Sequence, residues 1–499
     1  MPKAMDRPLW ILFGLAAIVH LATAGRYDAM RNELYFIICG RHPDFGYVDQ
    51  PSLVPLIAAG TQMFGNSVSL LRLPAVLAVL AMIPLTAALT RLIGGDGRAA
   101  FLAALMTTVA PLLVAVGTLL TTETFEPLTW TALSVLVAAA WMRQDRRMLP
   151  WAGLVAGIAL QMKYGMVIWM IGLLAGLLAT PARRMLAWRE FWLGALIAAG
   201  IVAPSVIWQA AHDWPFLEVT RNHSAGNFTG DPIRFTIGQI LRMNPVLAPL
   251  WIAGLIGPFV REGLKPFRFL AIAFAVSAAI IVASHGKDYY LVPAYPTLFA
   301  LGAVTLGGVK PLPRRIWIGA ALVTSAIVAP VVLPLLDPPR LERYLAATHL
   351  KPKPDEAAGV GAPLTQVFSD ELGWRAFEKQ VAAAYNALPP EDRAKAAIVT
   401  IDYGEAAALD YYGPADGLPP ALSGQNQYWL WGAHGHDGSV MLHINGKAGR
   451  WERACASTEV VGTFGAPYAM PYENDRPIIL CRGLKANLSD TWARFRHYD

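Results

Sequence analysis

The chain has 499 residues, of which 55% are hydrophobic and only 15% charged. Soluble domains carry roughly 25% charged residues, so this composition excludes an ordinary soluble protein and points to lipid as the solvent. The net charge of +6 is spread as small basic clusters between apolar runs, which excludes the single basic stripe of a nucleic-acid binder.

In chain order, apolar runs of about 17–25 residues can each cross a hydrocarbon core of roughly 30 Å, and about eleven stretches fit that rule. They cover residues 9–24, 69–92, 99–119, 128–142, 149–162, 166–180, 191–208, 240–260, 269–283, 291–309 and 316–335. Basic clusters occupy every second connection: Lys3 and Arg7; Arg91 and Arg98; Arg143, Arg146 and Arg147; Arg183, Arg184 and Arg189; Arg261, Lys265 and Arg268; Lys310, Arg314 and Arg315. The positive-inside rule assigns these to the cytoplasm. The opposite connections, residues 25–68, 119–127, around Lys163, 209–239, 284–290 and the tail from Asp337, are therefore expected outside. The first run has a basic start and an Ala22-Thr-Ala24 end, as a signal peptide would. The alternation of basic clusters works with this helix retained, so it is read as a span. His20 within it reads as a packing residue held by a hydrogen bond.

The tail differs in composition. It opens on Asp337-Pro-Pro339 and Lys351-Pro-Lys-Pro354, then carries apolar strand-like runs at Ala396-Ala-Ile-Val-Thr-Ile401 and Val440-Met-Leu-His-Ile444. Residues 374–388 read as an amphipathic helix ahead of the first strand. The expected organisation is a polytopic α-helical transmembrane domain over residues 1–336 and an extracytoplasmic α/β domain over 337–499. Cys455 and Cys481 both lie in that tail, where an oxidising compartment permits a disulfide without requiring one, whereas Cys39 stands alone. No spacing of Cys and His suggests a structural metal.

The outer connections collect polar groups beside apolar helices, where ionisable side chains are costly and usually kept for a task. They include Glu33, Asp44 and Asp49 in the first, Glu123 and Glu126 in the second, and Lys163-Tyr164 at a helix end. Further along stand His212-Asp-Trp214, His223 and Ser284-His-Gly-Lys-Asp-Tyr-Tyr290. Carboxylates suit general-base work on a hydroxyl or amine, or metal binding, and cationic groups suit a phosphate leaving group. Together they suit transfer from a phosphate-bearing donor.

Several motifs then share one order. Asn32-Glu33-Leu-Tyr35-Phe36 precedes Gly46-Tyr47-Val-Asp49-Gln-Pro51-Ser-Leu53, Phe64-Gly65 and Arg72-Leu-Pro74. Glu123 comes next, seven residues before Trp130, then Lys163-Tyr164, Trp208-Gln-Ala-Ala-His-Asp-Trp-Pro215 and Lys287-Asp-Tyr-Tyr-Leu-Val-Pro-Ala-Tyr-Pro296. In the tail stand Tyr403-Gly-Glu-Ala406 and Ser423-Gly-Gln-Asn-Gln-Tyr-Trp429. This series resembles the protein O-mannosyltransferase-like superfamily of GT-C glycosyltransferases, to which the lipid A aminoarabinose transferase is related. The resemblance implies an inverting transfer of a sugar from a polyprenyl-phosphate carrier to a lipid, glycan or protein acceptor. It places the site and the tail at the outer face of a bacterial inner membrane. With a bacterial host the carrier is expected to be undecaprenyl phosphate.

It further implies that Glu33 is the catalytic base, Asp49 a supporting acid and Glu123 the acid that orients acceptor or base. Asn32 replaces the Asp usual in the family, leaving one carboxylate where relatives have two. Lys163, Lys287 and Tyr290 are candidates for the carrier phosphate, with Tyr35, Tyr47, Tyr164, His212 and Tyr289 as further substrate contacts. No cofactor is demanded, but a divalent metal stays open, with Asp49 and His223 as its candidate ligands. Each residue also has a plainer reading. Glu33 suits a solvated interfacial helix, Asp49 a turn, Glu123 and Glu126 a helix start, Lys163 a snorkelling side chain, and the tyrosines a membrane-interface belt. A transporter or lipid flippase would also have many helices and outward acids, but such proteins place polar sites near the midplane and often carry internal symmetry. A receptor that binds through the tail is a third reading.

Overall fold

The structure, a computed structural model, describes residues 5–226, 231–354, 359–445 and 452–499. The chain divides into two compact units. The first takes residues 1–26, 69–208 and 227–335, and the second takes 27–68, 209–226 and 336–499. The second unit thus adds to the tail two connections, 27–68 and 209–226, that the expected boundary at 336 leaves in the transmembrane domain.

The first unit is helical, and each apolar run of the sequence falls on helix. Among the described residues, five helices are long and apolar enough to cross a bilayer: Val68–Leu92, Arg189–Ala211, Glu262–Ala283, Asp288–Gly308 and Pro311–Val332. Two bent pairs raise this to seven if each is one crossing. Met166–Leu178 turns by 110° into Pro181–Ala187, and Pro232–Arg242 turns by 95° into Pro245–Val260. The second bend divides a run that reads as continuous over 240–260. Asn244 stands at φ 70°, caps Val246 through its carbonyl oxygen, and donates from Nδ2 to Thr324 and Ser325. The cap serves one N–H that the break would otherwise leave bare, and the other two bonds hold the capping amide in place. The run at 99–119 likewise breaks before Pro111, whose ring disfavours helical backbone at Ala110.

Small residues let these helices approach closely. A methyl group on Gly153 would collide with the carbonyl oxygen of Gly194, and one on Gly254 with that of Leu298. Without a hydrophobic drive in lipid, such close packing is what holds helices together. The buried rings of Trp130 and Trp169 stack at 5.2 Å in the same core. His20 is buried against Gly117.

The second unit contains a five-stranded sheet of β1 (Ala396–Thr400), β2 (Ala421–Ser423), β3 (Val440–Ile444), β4 (Cys455–Phe464) and β5 (Arg476–Leu484), in the order β2-β1-β3-β5-β4. β1 runs parallel to β2 and β3, and β5 runs antiparallel to β3 and β4. β1 and β3 are buried along their whole length, as expected for the interior of a mixed sheet. The predicted amphipathic helix appears as Trp374–Asn386 and buries Trp374, Phe377, Val381 and Tyr385. Cys455 and Cys481 form a disulfide joining β4 to β5, which answers the question the sequence leaves open. Two further helices of this unit are α1 (Arg31–Arg41) in the first outer connection and α2 (Tyr403–Tyr412) in the tail. They touch where Gly404 leaves no room, since a methyl there would lie 2.7 Å from Cβ of Arg31.

Candidate active site

In the first unit, Lys163 caps the C-terminal end of the helix Met148–Met162 with extended backbone. Its ammonium donates to Glu123 Oε1 and to Glu126 Oε2, each at 3.0 Å, and lies 4.5 Å from the ring centre of Tyr290. Glu126 opens the helix Glu126–Arg143, where the unpaired N–H groups of the first turn favour a carboxylate. Three residues picked from separate outer connections therefore meet, together with Glu126. Burial pushes the Glu123 carboxyl up, but the charge and hydrogen bond of Lys163 outweigh it and hold it at about 2. Burial also opposes the charge on Lys163, yet the two acids outweigh it and raise its pKa above that of a free lysine.

Beside this cluster in sequence, Tyr164 shares a hydrogen bond with Ser205. Lys287 lies over the ring of Tyr289 at 5.8 Å, and Tyr289 meets Tyr290 edge to face. Asp288 pairs with Arg242 at 2.9 Å, while Gln239 donates to its carbonyl oxygen. The Lys-Asp-Tyr-Tyr motif is thus fixed by its aspartate.

In the second unit, Glu33 is fully buried and accepts a hydrogen bond from the Met30 amide at 2.9 Å, so it closes the start of α1. The Tyr35 hydroxyl donates to Asp49 Oδ1 at 2.9 Å and accepts from the Gln427 amide at 3.3 Å. Burial pushes the Asp49 carboxyl up to about 6 against that hydrogen bond. Asp49 lies in a tight turn in which Tyr47 N–H donates to the Gln50 carbonyl oxygen. The Tyr47 hydroxyl is buried and donates to the carbonyl oxygens of Cys39 and His42. Gln209 donates to the Tyr47 carbonyl oxygen at 2.8 Å. Tyr47 therefore braces the turn instead of offering a free hydroxyl. Gln209 and the left-handed pair Asp213 and Trp214 give the Trp208–Pro215 motif its sharp reversal. His212 is exposed on that reversal. The side chain of His223 lies outside the described residues.

Among the described residues no three of His, Cys, Asp and Glu form a group that could hold a metal. Asp49 is engaged by Tyr35 instead.

Residues 49–208 match the family model described as "Dolichyl-phosphate-mannose-protein mannosyltransferase". They take in Asp49, Glu123, Lys163 and Tyr164. That segment, about a third of the chain, is similar to the protein O-mannosyltransferase-like family. Its fold is that of ArnT from Cupriavidus metallidurans. The crystal structure of that protein bound to undecaprenyl phosphate aligns at a TM-score of 0.66 and 16% identity, over 95% of this chain and 98% of that one. The apo structure aligns at 0.65 and 16%, over 94% and 97%. No curated protein matches the sequence. The chain thus joins a partial family match to an ArnT-like fold with several helices long and apolar enough to cross a membrane.

Several residues that hold the candidate site lie in or beside the quoted motifs, where the sequence does not show what they touch. Gln427 fixes the turn by accepting from the Val48 amide at 3.1 Å. The Tyr403 hydroxyl donates to Asn32 at 2.8 Å, and Arg31 enters a pocket of tail residues. Both tail motifs that carry the family resemblance are visible in the sequence, but their task is not.

Proposed function

We propose that the protein transfers a sugar from a polyprenyl-phosphate donor to a lipid, glycan or protein acceptor at the outer face of a bacterial inner membrane. The cluster of Lys163, Glu123, Glu126 and Tyr290 carries this reading. It sets a cation and an aromatic hydroxyl among the ends of apolar helices, as recognition of a lipid phosphate requires. The fold likeness to a protein crystallised with undecaprenyl phosphate supports the same donor class. All eleven apolar runs are read as crossings, with the basic clusters cytoplasmic.

In this scheme Glu33 accepts the proton of an acceptor hydroxyl or amine as that atom attacks the anomeric carbon. The carbon–oxygen bond to the carrier phosphate breaks on the opposite side, so the configuration inverts. The bonding electrons leave with the phosphate, whose growing charge Lys163, Lys287 and Tyr290 stabilise. Because Lys163 is already neutralised by two acids, the phosphate competes with Glu123 and Glu126 for it. Glu123 then orients the acceptor, Asp49 is a supporting acid, and Tyr164, Tyr289 and His212 contact substrate.

Mass spectrometry of envelope glycolipids and glycoproteins from a deletion strain should reveal one missing sugar, restored by the intact gene. Glu33→Gln should fail to restore it while the protein accumulates normally, since a general base contributes about 10²–10⁴-fold. Full restoration by that variant would sink the assignment of the base.

A further inference from the structure

We infer that Arg31 is a positioning residue, and that a cradle in the C-terminal domain grips it to fix the helix carrying Glu33. The inference rests on reading Glu33 as the base and adds the device that holds it in place.

The Arg31 side chain is 13% exposed, and its guanidinium lies 3.5 Å from Asp370 and 3.8 Å from Asp402. Its Nη1 donates to the Tyr472 hydroxyl at 2.8 Å. The rings of Tyr403 and Tyr472 flank it, each centred 6.0 Å away. The backbone of α2 comes close enough at Gly404 to leave no space for a methyl. Asp402 is itself locked, because its carboxylate caps α2 by accepting from the Gly404 amide. Glu405 accepts from the Ile401 and Asp402 amides and from Asn445. Arg31 therefore enters a receptor whose walls are held independently of it.

The grip continues along one side of α1. Asn32 accepts from Tyr403, and Tyr35 accepts from the Gln427 amide and packs on the Tyr403 ring at 4.6 Å. At about 100° per residue, Arg31, Asn32 and Tyr35 share one face, while Glu33 projects roughly 150° around from its centre. The tail thus holds α1 along this face, while Glu33 lies around the helix from it, near Tyr412 at the end of α2. A planar fork with several partners fixes rotation about the helix axis, which a single point charge does not.

The test uses the full-length protein in nanodiscs, with total membrane lipid from the deletion strain as the source of donor and acceptor. In hydrogen–deuterium exchange, Arg31→Met and Asp370→Asn should each speed exchange in residues 31–41 on the order of ten-fold or more, the scale of a lost charged hydrogen bond. Exchange in β1, β3 and β5 should stay unchanged. Unchanged exchange in 31–41, or general loosening of the sheet, overturns the cradle. Transfer rates then separate positioning from a structural role. Arg31→Met should lower the rate in the wild-type background and add nothing in the Glu33→Gln background. Equal losses in both backgrounds overturn action through Glu33. Full activity of Glu33→Gln sinks the assignment of the base itself, an outcome distinct from any change in exchange.

Discussion

Each unit holds a cation between two carboxylates, yet the two arrangements suit opposite tasks. Lys163 reaches both acids at 3.0 Å with one compact ammonium on a flexible stem. Arg31 sits at 3.5 and 3.8 Å from its acids and spends its planar fork on a tyrosine hydroxyl and flanking rings as well. A lysine can trade one acid for a phosphate without moving its backbone, whereas an arginine with many partners resists leaving. The first is built for exchange and the second for holding.

The largest test of that contrast removes the exchangeable cation. Lys163→Met should cut transfer about 10²–10³-fold, the usual loss of one electrostatic stabiliser, while thermal unfolding shows the fold retained. An equal loss of fold would make Lys163 a structural group like Arg31. Next in size, Cys455→Ser should cost the second unit about 3 kcal/mol by removing the cross-link between β4 and β5, with no effect on exchange near Lys163. Arg31→Lys keeps the charge but loses the fork, and should cost about 1–2 kcal/mol in the same unit. If lysine serves as well, the holding role fails.

The smallest effect is a difference in sign with pH. Glu123, held at about 2, contributes stability that is present above its unfolded value near 4.5 and lost as pH falls toward about 2. Asp49, pushed up to about 6, contributes stability that is present below its unfolded value near 3.8 and lost as pH rises through about 6. Hydrogen exchange in residues 46–51 should therefore slow as pH drops from about 6 to about 4, after correction for intrinsic rates, and Asp49→Asn should abolish that trend. A trend unaffected by the substitution would assign it to another group.

The helical character of the first unit is legible in the sequence because its apolar runs fall largely on helix. The bend at Asn244-Pro245 is not, because hydropathy does not register a break capped by one asparagine whose amide is held by Thr324 and Ser325. The Lys163 cluster is readable in part, since each of its members sits in a motif. Glu126 reads as a plain helix start because nothing local shows that Lys163 will reach it. Arg31 stands just ahead of the best motif with nothing to mark it. Its partner Tyr472 is 441 residues away in sequence, and no local pattern announces a receptor so distant. Asn32, the least family-like residue of its motif, proves to accept from Tyr403, a task that needs an oxygen but no charge.

That separation also sets an order of events during biosynthesis. At about 5–20 residues per second, the ribosome makes α1 tens of seconds before it reaches Tyr472. Through that interval the nascent chain can insert its helices, but it has no receptor for Arg31. A copy released early would keep its membrane segments and lack the residues that contact Arg31.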